Sequence, residues 1–352
     1  MHACFFSSIW GQTPRQYFKK ASAFLAAAVV LGLTSYPRVG HAASDATLGD
    51  HQAQQMMAQE AWTKAADMYQ QLAMENPEKE VHYLKKAANA FEQSGDSISA
   101  LHLLEQALKL DDQDLDLVMS IALIQKDRGH YQAALEILME YAQRFPKNVE
   151  LRALALQSIS LHFQNQIELA KERIEEDPQD VDAYSVMART LVMAGESTAA
   201  LGILTEGIIE NPQSVDLWIQ IGALEVGSGR DTEAASAYRE AIRLDSSNGL
   251  ARNNLAFLLV TTKDPALRDP VLALVHAQQA LTTEPENPAF LDTLAEVFNV
   301  TGHHSRAVRA IKKAIAIAPD DPLYRRQLVR FQKAHDQFER MKQSSANAVI
   351  RP

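Results

Sequence analysis

The sequence repeats a pattern about every 34 residues, and this period constrains the fold more than any other feature. Alanine recurs at separations of 34 or 35 residues, with one gap of 66 and one of 39. Within the gap of 66, Gln166 stands where the next alanine is expected. A period of this length predicts a row of small supersecondary units, each stacked on its neighbours. The recurring alanines are Ala65, Ala100, Ala134, Ala200, Ala234, Ala273 and Ala307.

Two further positions indicate where each unit turns and where it ends. Twelve residues after each repeat mark comes a proline, aspartate or serine, residue types that end helices or favour turns. A glycine lies five residues before most of the alanines, and it predicts the turn between two antiparallel helices. These glycines are Gly95, Gly129, Gly195, Gly229 and Gly302.

Small residues are also predicted where the two helices of a unit cross. A larger side chain at such a close contact would overpack it and typically lower the free energy of unfolding by about 1–3 kcal/mol. Larger side chains such as Trp218 and Tyr238 are expected to fill the space beside the crossing. The small residues of the first helices are Ala88, Ala122, Ala188, Gly222, Ala256 and Ala295.

Residues 216–248 contain the most complete copy of the pattern, which resembles the tetratricopeptide repeat, a 34-residue helix-turn-helix. The resemblance covers residues 46 to 321, about eight units, and is closest to exported bacterial members of the family. It implies an all-α, right-handed superhelical solenoid whose first helices line a concave groove. The matching residues of this unit are Trp218, Ile221, Gly222, Ala234, Tyr238 and Ala241.

The period divides the chain into five predicted segments and shows two departures. Unit four, residues 149–180, is short and lacks the turn glycine, and unit seven carries the insert "TTKDPALRDP", which predicts a longer loop between its helices. The segments are a signal peptide (1–42), an N-terminal cap with a degenerate first repeat (43–80), repeats two to eight (81–321), a capping helix (322–341) and a disordered tail (342–352).

The N-terminus is typical of a secretory signal peptide. Arg15, Lys19 and Lys20 precede an apolar run from Ala21 to Leu33, and the small-residue site that ends at Ala42 follows. Thirteen apolar residues span roughly 20 Å as a helix, short of the ~30 Å hydrocarbon core. The sequence therefore predicts export across the inner membrane, to the periplasm, with no membrane span after cleavage. An uncleaved N-terminal anchor is the alternative.

Charge is distributed unevenly along the chain. Residues 43–302 contain 19 Lys and Arg against 40 Asp and Glu, whereas residues 303–352 contain 11 against 4. The acidic part argues against nucleic acid as a partner, because duplex binding needs a basic footprint. The basic end could contact an anionic polysaccharide, lipid headgroups or another copy of the chain, or be a solvated capping surface. Its residues are Arg306, Arg309, Lys313, Arg326 and Arg330.

The predicted binding site for a protein or peptide lies on the first helices, where apolar and amide side chains recur at groove positions. An apolar cleft with a few polar groups is typical of a peptide site. The alternative is that these residues pack on each other. The predicted groove residues are Arg189, Val192, Ile219, Val226, Asn253, Asn254, Phe257, Val260 and Glu296.

The sequence contains no motif that predicts catalysis. A glycine-rich phosphate loop, a zinc-protease motif and a nucleophile elbow are all missing, and Cys4, the only cysteine, lies in the leader. We therefore expect no enzyme activity, cofactor or metal. The predicted function is that of an exported scaffold in cell-envelope or exopolysaccharide assembly, and the alternative is a periplasmic holdase-like chaperone.

Overall fold

The computed structural model describes residues 48–349, which contain α-helices and a single 3-10 turn. No strand occurs among these residues, so the predicted all-α class is confirmed. Consecutive helices pack in pairs, and about eight units fit the chain. The predicted signal peptide lies outside the described residues. None of the described helices combines the length and the apolar composition needed to cross a membrane.

The described residues form two compact units, and the division falls inside one helix, between Asn165 and Gln166. We call residues 48–165 the N-terminal unit and residues 166–349 the C-terminal unit. The N-terminal unit contains a 3-10 turn (Pro77–Lys79) and helices α1 (Leu48–Ala58), α2 (Trp62–Glu75), α3 (Glu80–Gln93), α4 (Ser97–Leu110), α5 (Leu115–Asp127), α6 (Tyr131–Arg144) and the first part of α7 (Val149–Glu176).

The C-terminal unit continues with the last part of α7 and nine further helices. In agreement with the 34-residue period, three successive first helices begin at Val181, Val215 and Gly249. The helices are α8 (Val181–Ala194), α9 (Ser197–Glu210), α10 (Val215–Gly227), α11 (Asp231–Leu244), α12 (Gly249–Thr261), α13 (Pro270–Thr283), α14 (Pro288–Val300), α15 (His304–Ile317) and α16 (Pro322–Val349).

The five predicted turn glycines all adopt the left-handed conformation, with φ between +76° at Gly229 and +88° at Gly195. Residues with a Cβ atom are strained at positive φ, which explains why glycine recurs at these turns. The turn between α1 and α2 lacks a glycine, and Glu60 takes a φ of +59° there instead. The glycine positions therefore mark the helix turns, as predicted.

The predicted close crossings are also present. All seven recurring alanines have 0% exposure. At Gly222 on α10, an added Cβ would lie 2.5 Å from Cε1 of Tyr238 on α11, so the helices meet with no room for a methyl group. Tyr238 is fully buried, and burial raises the pKa of its hydroxyl well above the usual value. Small residues thus set the distance between paired helices.

Unit four differs from its prediction as a helix-turn-helix. Residues Val149–Glu176 form one continuous helix of 28 residues, α7, with no turn near residue 161. The segment contains neither glycine nor proline, so nothing in its backbone favours a reversal. Leu151 and Leu154 pack with the core of the N-terminal unit, while Ile167 and Ile174 pack with a core of the C-terminal unit.

Two other segments bear on the sequence predictions. The insert of unit seven forms a loop between α12 and α13, as expected, and the Asp269 carboxylate accepts hydrogen bonds from the first amides of α13. The final helix was predicted to end at Met341 and to be followed by a disordered tail. It continues to Val349, which corrects the boundary, because residues 342–349 contain no glycine or proline to end it.

Candidate functional site

The candidate site lies in the C-terminal unit, on the first helices of successive pairs. Helices α8, α10, α12 and α14 contact one another in that order, so their side chains form a continuous surface. We call this surface the first-helix face. Their N-termini are capped by the side chains of Asp180, Ser214, Asn248 and Asn287, which accept hydrogen bonds from amides of the first turn.

Most of the apolar residues predicted for the groove are packed rather than open. Ile219 is 2% exposed, Val226 7% and Val260 2%, and the three belong to one core cluster. Phe257 is half-buried and packs against the same cluster. Val192 is also half-buried and packs against a neighbouring cluster. Ile219, Val226, Phe257 and Val260 therefore lie together, and they mainly pack beneath the first-helix face.

The amide side chains at the centre of the first-helix face have unused hydrogen-bonding capacity. Asn253 and Asn254 are 5% and 1% exposed, and Asn253 Nδ2 lies 3.5 Å from Asn254 Oδ1. Asn253 Oδ1 and Asn254 Nδ2 have no hydrogen-bond partner among the described residues. More than nine in ten buried polar groups in proteins are hydrogen-bonded, so two adjacent exceptions call for a physical explanation.

Gln220 on α10 extends this pattern to the neighbouring helix. Its Nε2 donates to Ser185 Oγ on α8 at 2.8 Å, whereas its Oε1, also buried, lacks a partner within the described part of the chain. An unsatisfied buried polar group costs about 1–3 kcal/mol. The face therefore contains one buried donor and two buried acceptors without partners among the described residues.

The structure pairs two residues that the sequence assigned to separate sites. Glu296, predicted for the groove, is 6% exposed. Arg330 Nη1 donates a hydrogen bond to Glu296 Oε1 at 3.1 Å, and Arg330 Nη2 donates a second, shorter one to Glu296 Oε2. Arg330, predicted for the basic surface, also stacks on the ring of Phe331 at 4.5 Å. This pair joins α14 to α16, so neither residue is an open contact site.

The other predicted basic residues lie on the outside of α15 and α16. Arg306 is exposed, and its guanidinium lies 5.8 Å from the ring centre of Phe298. Arg309, Lys313 and Arg326 are exposed and form no ion pair with any described residue. These four residues, which we call the basic surface, remain accessible to an anionic group. Arg189, on the first-helix face, is half-buried.

One buried charge on this face was not predicted. Glu225, near the end of α10, is 7% exposed and accepts a hydrogen bond from Arg230 in the following turn. The spacing of five residues across the turn glycine Gly229 could have indicated this pair. Elsewhere in the described chain, no three His, Cys, Asp or Glu side chains are grouped so that they could hold a metal ion.

Comparison of the sequence with protein families identifies the tetratricopeptide repeat, whose model matches residues 85–149 and 169–259. The matched segments, which cover less than half of the chain, resemble tetratricopeptide repeats, and the paired helices agree with that resemblance. Proteins of that family are generally non-catalytic scaffolds. The unmatched stretch between the two segments lies inside α7, where the turn is missing. No curated protein matches the chain at a significant level.

Several solved structures are similar in arrangement. The crystal structure of MamA is 17% identical in sequence, with a TM-score of 0.39, and the match covers 47% of this chain and 94% of the MamA chain. The Cut9-Hcn1 hetero-tetramer of APC/C is 14% identical, with a TM-score of 0.43, over 82% of this chain and 71% of the matched chain. A tetratricopeptide repeat protein from Parabacteroides merdae is 16% identical, with a TM-score of 0.40, over 72% of this chain and 98% of its own chain. At these scores the similarity does not extend to function.

Proposed function

We propose that this tetratricopeptide repeat protein is an exported, non-enzymatic scaffold that binds an extended segment of a partner protein through its first-helix face. The observation that carries the proposal is the set of buried amide atoms without partners on α10 and α12, namely Gln220 Oε1, Asn253 Oδ1 and Asn254 Nδ2. They are two acceptors and one donor, and a peptide backbone presents the complementary N–H and C=O groups. A bound segment would therefore satisfy both sides.

The surroundings of these amides suit a peptide in an extended conformation. Phe257 and Val192 are half-buried and leave part of their apolar surface for contact, and Arg189 contributes a charge at the same face. The packed residues Ile219, Val226 and Val260 would hold the amides in place rather than touch the partner. Pre-organised groups of this kind bind with a smaller entropic cost than mobile ones.

The proposal also includes the cellular location of the scaffold and a second contact, made by the basic surface. The leader features of residues 1–42 favour export to the periplasm, and we place the scaffold in cell-envelope or exopolysaccharide assembly by analogy with exported members of the family. The basic surface would contact an anionic polysaccharide, lipid headgroups or the acidic part of a second copy. Sedimentation at low and high salt tests the last option, since such a contact should dissociate as salt rises.

The decisive experiment replaces Asn254 with its apolar isostere. Asn254→Leu should reduce capture of the partner at least tenfold, measured by photo-crosslinking in cells from position 257 and mass spectrometry. Thermal stability should change little, because the substitution removes the unsatisfied Nδ2 of Asn254 but also the acceptor of Asn253 Nδ2. Gln278→Leu, at an exposed position on the second helix α13, is the matched control and should leave capture intact.

The same experiment separates the scaffold from a holdase. A scaffold should yield one or two partners in stoichiometric amounts, and these should disappear in Asn254→Leu. Suppression of aggregation of several unrelated unfolded proteins, unaffected by Asn254→Leu, would indicate a holdase-like chaperone instead. Full capture by Asn254→Leu would exclude the amides from the binding site.

A further inference from the structure

The basic surface has a counterpart of opposite charge within the same C-terminal unit, in a region to which the sequence assigned no site. Residues 303–352 contain 11 Lys and Arg against 4 Asp and Glu, whereas residues 166–210 contain 3 against 10, so their formal charges are +7 and −7. The helices between these segments contact one another in chain order. The two segments therefore lie at opposite ends of the unit.

On α15, cations of the basic surface form a row that ends in an exposed apolar residue. Helix α15, His304–Ile317, contains no aspartate or glutamate. Arg309, Lys313 and Ile317 follow one another at intervals of four residues, so they share one face of the helix. The two cations form no ion pair with any described residue, and Ile317 is 44% exposed. This face suits a partner that offers both negative and apolar groups.

Two rows of acidic residues approach each other at the C-terminal ends of α7 and α9. A hydrogen bond of 3.5 Å, from Asn211 Nδ2 to the carbonyl oxygen of Pro178, joins the end of α9 to the turn after α7. Within each row the carboxylates lie one helical turn apart and are exposed. We call these four residues the acidic surface, and they are Glu172, Glu176, Glu206 and Glu210.

The charges of the acidic surface are not balanced by nearby cations. Lys171 pairs with Glu168 and Glu175, which are not part of this surface. Arg173 pairs with Asp180. The four carboxylates of the acidic surface form no ion pair with any described residue. They also lie at the C-terminal ends of two helices, where the helix dipoles favour cations.

The apolar groups of the two surfaces are complementary as well. Ile209 on α9 is 73% exposed and directly precedes Glu210, just as Ile317 lies one turn beyond Lys313. An anionic polysaccharide would leave Ile317 in water, whereas a second copy of the chain can cover it with Ile209. Removal of apolar surface from water is favourable. A second copy therefore matches the basic surface in charge and in polarity.

We propose that the basic surface of one copy binds the acidic surface of a second copy, with Ile317 packed against Ile209. Because the two surfaces differ, the contact is heterologous, and each bound copy keeps a free surface for a further one. Such an assembly would hold several partner-binding faces together. The inference rests on the proposed function only in treating the basic surface as a contact site, and it does not depend on the first-helix face.

The test uses two charge-reversal variants of the full-length protein. Arg309→Glu/Lys313→Glu reverses the basic surface, and Glu176→Lys/Glu210→Lys reverses the acidic surface. Circular dichroism should show unchanged helix content in both, because all four positions are exposed.

A control variant has the same change of charge as the first of these. Lys64→Glu/Lys109→Glu replaces exposed residues of α2 and α4, outside both surfaces. It should associate with an affinity within about twofold of the wild-type protein, since rim charges far from a contact have little effect on it.

Sedimentation velocity of the purified wild-type protein should show association at about 50 mM salt and a monomer at about 0.5 M, because salt screens the charges. Each charge-reversal variant alone should associate about tenfold more weakly or less, because like charges then face each other. An equimolar mixture of the two variants should associate again. One variant keeps the acidic surface and the other keeps the basic surface, so the mixture restores the original contact.

A wild-type protein that is monomeric at both salt concentrations would overturn the proposal, as would association that persists in either charge-reversal variant. Failure of the mixture to associate would also overturn it, because a heterologous contact requires the rescue. Binding of phosphatidylglycerol vesicles or alginate through Arg309 and Lys313, by a protein that stays monomeric, would assign the basic surface to lipid or polysaccharide instead. Asn254→Leu should self-associate like the wild-type protein, which separates failure of this contact from failure of the first-helix face.

Discussion

Helix α7 and the helix pairs around it contain similar amounts of helix-forming sequence but fold differently. In pairs such as α8–α9 and α10–α11, a glycine with φ near +80° reverses the chain, and a buried alanine lets the second helix return onto the first. Residues 149–176 have no glycine, and Gln166 stands at the alanine position, so the helix continues for 28 residues. In this segment the continuous helix coincides with the absence of both the turn glycine and the alanine.

The family match reflects the same difference. It stops at residue 149 and resumes at 169, so it omits most of the segment that remains one helix. It ends at residue 259, just before the longer loop that starts after Thr261. The gap in the match thus coincides with the missing turn, although pairs outside the match, such as α14–α15, also form. Only the structure shows what replaces the missing turn.

The largest expected effect tests the continuity of α7. Gln164→Pro should lower the free energy of unfolding by about 3 kcal/mol or more, because proline removes a helical hydrogen bond and clashes with the preceding turn. Urea denaturation followed by circular dichroism measures this loss. Gln164 is exposed, so Gln164→Ala is a control that should change stability little. If the segment turned near residue 161 as the other units do, proline would be tolerated.

A medium effect is expected at the crossing of α10 and α11. In Gly222→Ala the new Cβ would meet the buried ring of Tyr238, and overpacking of this kind costs about 1–3 kcal/mol. Gly202→Ala on α9 is the matched control, since its Cβ would meet no atom within 4 Å. That control should stabilise the protein by about 0.5–1 kcal/mol, because alanine is the better helix former. Equal effects in the two variants would contradict a close crossing at Gly222.

The smallest expected effect concerns the turns themselves. Gly195→Ala should cost about 1 kcal/mol, because alanine is strained at a φ of +88° although the space around it is open. Glu60→Gly should act in the opposite direction, since Glu60 already occupies the left-handed region. Thermal denaturation of the two variants should therefore shift in opposite directions. A shift of the same sign in both would mean that backbone strain does not control these turns.

The surroundings of the predicted site residues depend more on packing between helices than the fold does. The resemblance to the repeat family placed Ile219, Val226 and Val260 at groove positions, but a residue on the inner side of a helix is covered where the next helix packs against it. In the C-terminal unit the first helices contact one another, and this contact buries these three side chains. The pairing of Glu296 with Arg330 was missed because the residues are 34 positions apart and their meeting depends on how α16 packs.

The sequence by itself determined the repeat length, the all-helical class, the five glycine turns and the alanine crossings, because each depends on a residue type at a fixed spacing along one or two neighbouring helices. Only the tertiary structure decided that α7 runs without a turn, which groove residues are covered, and that Glu296 of α14 pairs with Arg330 of α16. These properties depend on the distance between helices that are separate in the chain, and no local pattern specifies that distance.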